Sequence, residues 1–153
     1  MNPDNGEAGG GVRHYDEWVQ HEPVTIGSPA AGSGFTHTVP GSTVQRVRSL
    51  SFLLTNDGNA ANRLPRVEFL NASGEVFAAV AAPFTIPANV AARYTFGVGL
   101  QQYGANGAAQ IGGPIPDYKL SAGLALRVVI ANVQAGDQIS VASLFVDQFP
   151  LRD

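Results

Sequence analysis

The sequence predicts an all-β protein, a sandwich or barrel, and three observations carry that expectation. Glycine and proline are abundant, with 18 and 10 residues among 153, so the chain is punctuated by turns. Only 14% of the residues are charged, which leaves few candidates for long solvated helices. The apolar residues fall in short runs, and their order suggests about eight strands at roughly 10-residue spacing. A chain of this length is enough for one domain whose core removes roughly two thirds of the unfolded surface from water.

In chain order, "PVTIGS" and "FTHTV" are brief strand candidates. The strongest is "VQRVRSLSFLLT" at 44–55, where Leu50, Phe52 and Leu54 alternate with Ser49, Ser51 and Leu53, the pattern of a strand with one face in a core. "RVEFLNASGEVFAAV" reads as two strands joined around "NASG", since Asn and Gly tolerate the positive φ of a tight turn. "PFTIP" is bracketed by prolines and suits a strand edge or a connection. "ARYTFGVGL" places Tyr94, Phe96 and Val98 on one face, and "QQYGANGAAQIGGPIPD" after it is expected to be an ordered surface loop. "YKL", "LALRVVIANV" and "ISVASLFVDQF" complete the set. In the last, Ile139, Val141, Ser143, Phe145 and Asp147 oppose Ser140, Ala142, Leu144 and Val146. The alanine-rich pieces are too short and too broken by proline for long helices, leaving room for one helical turn in the arm or near 83–92.

Charge divides the chain. Residues 1–22 form an acidic, flexible N-terminal arm with Asp4, Glu7, Asp16, Glu17 and Glu22 against Arg13, whereas the domain over 23–153 has seven acids and eight bases. The net charge of −3 gives no basis for nucleic-acid binding. The arm also carries Tyr15, Trp18 and Val19, whose apolar surface suits docking on a partner. With no cysteine, disulfides and thiolate metal sites are excluded. The first residues lack the features of a secretory signal and no run is long enough to span a membrane, so synthesis in the cytoplasm is expected.

No reaction declares itself. His14 and His21, beside Asp16, Glu17 and Glu22, do not have the spacing of a zinc site and read as solvated arm residues. There is no "GxSxG" elbow, and the glycine-rich 97–113 lacks the lysine and hydroxyl of a phosphate loop. Glu68, Glu75, Asp117, Asp137 and Asp147 are the carboxylates that two-carboxylate glycoside chemistry would draw on, with no spacing that favours it. "TNDGNAANRLP" at 55–65 has too few carboxylates for a dedicated calcium loop and reads as a turn. Within it Arg63 is a candidate for pairing with a carboxylate or bridging to a neighbouring subunit, and Asp57 for shaping the loop. Asp137 is expected to cap its own hairpin turn, and Tyr103 and Tyr118 to pack a loop or interface or, alternatively, to offer a sugar-stacking platform. No enzyme activity, cofactor or metal is expected.

The order "T-N-D-x-x-x-A-N-R-x-P", then a hairpin with Gly74, then "IPDYKLSAGLALR" and "NVQAGDQIS", resembles small virion proteins of tailed bacteriophages over residues 44–149. The resemblance implies a jelly-roll-type antiparallel β-sandwich of about eight strands with an extended N-terminal arm. It also implies a capsid decoration, or cement, protein that binds the major capsid protein on the virion surface as a homotrimer, with no catalytic residues. On that reading Tyr15, Trp18 and Val19 bind the partner, while Arg63, Asp57 and Tyr103 make inter-subunit or loop contacts. A host-adhesion or carbohydrate-binding module of a phage head or tail fibre is the alternative, with a glycan held by the loops at 56–62 and 99–116.

Overall fold

Ten strands follow one another along residues 19–150, the part of the chain that the computed structural model describes. They are β1 (Gln20–Ile26), β2 (Phe35–Thr38), β3 (Thr43–Thr55), β4 (Leu64–Leu70), β5 (Val76–Ala81), β6 (Ala91–Gly97), β7 (Gln110–Pro114), β8 (Lys119–Ser121), β9 (Ala125–Ala131) and β10 (Gln138–Pro150). No helix occurs among the described residues. One sheet has the order β1-β10-β3-β6-β7, with β8 also paired to β3, and the other has the order β2-β9-β4-β5. Without the short β7 and β8, eight strands remain in the orders β1-β10-β3-β6 and β2-β9-β4-β5. That winding is a jelly roll, as the resemblance implied, and it sets β1 across from β2 and β6 across from β5.

The core follows from the alternation in β3. Leu50, Phe52 and Leu54 are fully buried, opposite Phe96, Tyr94 and Ala92 of β6. The Phe52 ring stacks on Tyr94 at 5.5 Å and meets Phe35 of the other sheet edge-on at 6.1 Å, so one aromatic side chain ties the two layers together. From the second sheet Val67, Phe69, Leu126 and Val128 close the interior. The β4–β5 hairpin turns at "NASG" as expected. Asn71 Oδ1 accepts from the backbone N–H of Ser73 and Glu75, and Gly74 takes a φ of 84°.

The structure departs from the sequence expectation in four places. The segment 101–117, expected as a loop, contains β7, which runs parallel to β6 over Arg93–Gly97; two consecutive glycines, Gly112 and Gly113, hid it. In β10 the expected face fails after Ile139. A bulge between Ser140 and Ser143 turns Val141 outward and puts Ala142, Leu144 and Val146 in the core. No helical turn forms within 83–92, where "PFTIP" is a connection, one of the two roles expected of it, held by a bridge between Ile86 and Arg63. Gln20, His21 and Glu22 stand in β1, paired with Gln148, Asp147 and Val146 of β10.

Candidate functional site

The segment 55–65 leaves β3, bends, and enters β4 at one end of the sandwich, where the β9–β10 turn also lies. Asp57 and Asp137 meet there around Arg63, which is fully buried. The guanidinium has five N–H groups, and five hydrogen bonds use them. Nε donates to Asp137 Oδ2 at 2.9 Å, and Nη2 donates to Asp57 Oδ1 at 2.7 Å and Asp137 Oδ1 at 3.0 Å. Nη1 donates to the carbonyls of Asn59 at 2.8 Å and Ala61 at 2.6 Å.

The carboxylates are as fully used. Asp57 accepts from the backbone N–H of Asn59 and Gly136 and from the Asn59 side chain, while Asp137 accepts from the backbone N–H of Asp57 and Gln134. The Asn59 backbone N–H is the largest influence on Asp57, and with the other donors it holds this carboxyl below the ordinary range. Burial pushes Asp137 upward, but the bonds from Arg63, Gln134 and Asp57 and the charge of Arg63 outweigh it, and the net shift is downward. The Arg63 pKa rises, led by its hydrogen bond to Asp137.

This cluster is a loop clamp. Of the two roles expected for Arg63 and Asp57, the loop contact is the one visible within the chain. No N–H of Arg63 is left over for a neighbouring subunit, and both Asp57 oxygens that a cation or sugar would use are already engaged. Asp137 caps its turn as expected and also joins the clamp. Sequence reasoning treated these residues separately. The signal was available, because three charges in turn motifs stand out in a chain with so few.

The other carboxylates do not gather. Glu68 lies between Arg66 and Arg127, at 2.7 and 2.6 Å, Asp147 is held by His21 at 2.6 Å and Arg48 at 3.4 Å, and Asp117 pairs with Arg46 through both oxygens. Each of these three carboxylates is held by its own basic partners, and no group of His, Asp and Glu fit to hold a metal occurs among the described residues. Tyr103 bridges to Gly112 along the outer side of β7, where the glycine makes room for its ring. Tyr118 instead packs on Phe69 at 5.2 Å and Phe77 at 5.7 Å, so the two tyrosines form no shared platform. Tyr15 and Trp18 lie outside the described residues, and Val19 is half-buried where β1 begins.

The surface beside β5 was not legible in the sequence. On the outer face of the smaller sheet a cleft of about 400 Å³ is lined by Leu64, Arg66, Glu68, Ala81, Arg127 and Val129, among others. Adjoining it, β5 forms the edge of the sheet with Val76 43% and Phe77 49% exposed. The Phe77 and Tyr118 rings pack against each other there, and both stay partly exposed.

No known protein family matches the chain, and no curated protein matches it. Among solved structures it is similar to a capsid chain in the crystal structure of the T13 infectious bursal disease virus particle, with 12% identity over 85% of this chain and a TM-score of 0.43. The Gt strain of the same virus gives 12% identity over 84% of this chain and a TM-score of 0.43, and the Gx strain 10% over 86% and 0.33. The chain spans 31% and 32% of the length of the first two. These are distant likenesses.

Proposed function

We propose that this chain is a structural, non-enzymatic virion protein: a capsid decoration protein that seats on the major capsid protein at the virion surface, stabilises the shell and acts as a homotrimer. The observation that supports this most is a contrast between inside and outside. The chain's densest polar cluster, Arg63 with Asp57 and Asp137, is consumed in holding its own loops, while apolar side chains such as Val76, Phe77 and Tyr118 face solvent. Such a molecule offers apolar surface to a partner. The ordered turn motifs over 44–149 that resemble phage virion proteins point the same way, and the arm residues Tyr15, Trp18 and Val19 supply the contact with the shell.

The test is made on particles. Purified virions from the source of this chain contain it in a fixed ratio to the major capsid protein, and capsids lacking it rupture at a lower temperature. Its absence from particles, or equal stability of capsids with and without it, would overturn the proposal.

A further inference from the structure

The outer face of the larger sheet carries a row of hydroxyls. Thr25, Ser143, Ser51 and Thr95 stand in register across β1, β10, β3 and β6. Residues in register on neighbouring strands share a face, and those that alternate with them, Leu50, Phe52, Tyr94 and Leu144 among others, fill the core. The Ser51 and Thr95 oxygens lie 3.4 Å apart, and Arg93, two residues before Thr95 in β6, donates from Nη1 to Ser51 Oγ at 3.2 Å. The row continues from Thr95 to Gly112 of β7, and the Tyr103 ring lies there. A Cβ added to Gly112 would stand 2.3 Å from that ring and 2.6 Å from the Thr95 carbonyl oxygen. The glycine therefore lets an aromatic ring lie against the sheet beside the hydroxyls, while Tyr103 stays 38% exposed.

We propose that this face binds an acidic polysaccharide through a carboxylate-bearing sugar. Arg93 takes the carboxylate, Tyr103 stacks on the apolar face of the sugar ring, and Ser51 and Thr95 meet its hydroxyls. Three observations select that chemistry. The first is charge: Arg46, Arg48, Arg63, Arg66 and Arg127 each pair with a carboxylate, whereas Arg93 pairs with none among the described residues. Its guanidinium has five N–H groups, and its one side-chain hydrogen bond among the described residues goes to Ser51, so a fork stays open for a carboxylate. Asp147, the acid of β10 on this face, lies further along the strand and is held by His21 and Arg48. The second is the combination of groups. A sugar presents C–H faces to a ring and hydroxyls to Ser and Thr, and both kinds of partner stand here side by side. The third is extent. Phe145, 43% exposed, lies on the same face about 10 Å from β6, across two strand spacings, and offers a second ring to the next units of a chain.

The inference goes beyond the assembly proposed above and does not rest on it. The apolar side chains Val76, Phe77 and Tyr118 gather beside β5, whereas the hydroxyl row lies on the outer face of the other sheet. One surface is thus left for a polysaccharide while another meets the particle.

The test uses the full-length protein on an array of uronic-acid and sialic-acid oligosaccharides, each beside its carboxyl-reduced counterpart, with calorimetric titration of those that bind. Binding should be confined to acidic oligosaccharides and fall about tenfold or more on carboxyl reduction. Arg93→Gln should weaken binding of the acidic form by a similar factor and leave the reduced form unaffected, while Thr95→Val, which keeps the side-chain shape, should weaken both. Melting temperatures near that of the wild type separate these losses from unfolding, and Tyr118→Leu, away from the face, should bind as the wild type does. Binding to no acidic oligosaccharide overturns the inference, as does equal binding of the reduced forms or full affinity in Arg93→Gln. If Arg93→Gln instead loses attachment to particles and the wild type binds no glycan, the face is a seat for a protein carboxylate and the inference falls. A chain missing from particles would sink the capsid reading while leaving the glycan result intact.

Discussion

Arg63 shows how a single side chain converts two loops into one rigid end. Arg63→Ala removes the cation between two carboxylates inside the protein and should cost about 3–5 kcal/mol, read as a lower urea midpoint. Arg63→Lys keeps the charge but not the planar fork, and its midpoint should stay well below that of the wild type. The clamp also fixes the response to acid. Because Asp57 and Asp137 titrate below the ordinary carboxylate value in the folded chain, their contribution is complete above that value, about pH 4, and is lost as pH falls through the lower folded pKa values. Thermal melts from pH 5 to pH 2 should show the wild type losing stability steeply, and Asp137→Asn starting lower with a shallower slope. The sequence showed Arg63 and the two aspartates as loop residues. It did not show them together, because 74 positions separate Arg63 from Asp137 and only the closure of the sandwich brings them into contact.

Among the elements, β10 holds the clearest strain. Val141 sits at φ 49° in the bulge, a conformation that crowds a β-branched side chain, and it is 65% exposed, so packing does not compensate. Val141→Asn should therefore raise stability by about 1 kcal/mol in chemical denaturation. The same bulge explains why the sequence misled here. Period two identifies a strand but assumes one phase throughout, and an inserted residue reverses the faces beyond it. Where no bulge intervenes, as over Leu50, Phe52 and Leu54 in β3, the alternation gave the core correctly. β7 was lost for another reason. "QIGGP" has Ile111 as its one β-branched residue, and Gly112 is required by the Tyr103 ring, against which an added Cβ would lie at 2.3 Å. Gly112→Ala should open that edge and lower the melting temperature.

For the whole molecule, the fold class, the hairpin and most strands were legible because turn chemistry and alternation are local. The exposed β5 edge was not, since edge or centre is a property of the sheet order and "VFAAVA" reads equally well as a buried strand. Removal of residues 1–18 should abolish capsid attachment, checked by sedimentation of the truncated chain with particles, while leaving the melting temperature of the domain near that of the full protein. The sheet order has one more consequence, in time. β10 lies between β1 and β3, and His21 finds Asp147 126 positions later. During synthesis the larger sheet stays split until β10 has left the ribosome, so β1 waits unpaired after the smaller sheet has received its β9. Folding of this domain should be slow, on the order of milliseconds to seconds, and limited by the insertion of β10 between β1 and β3.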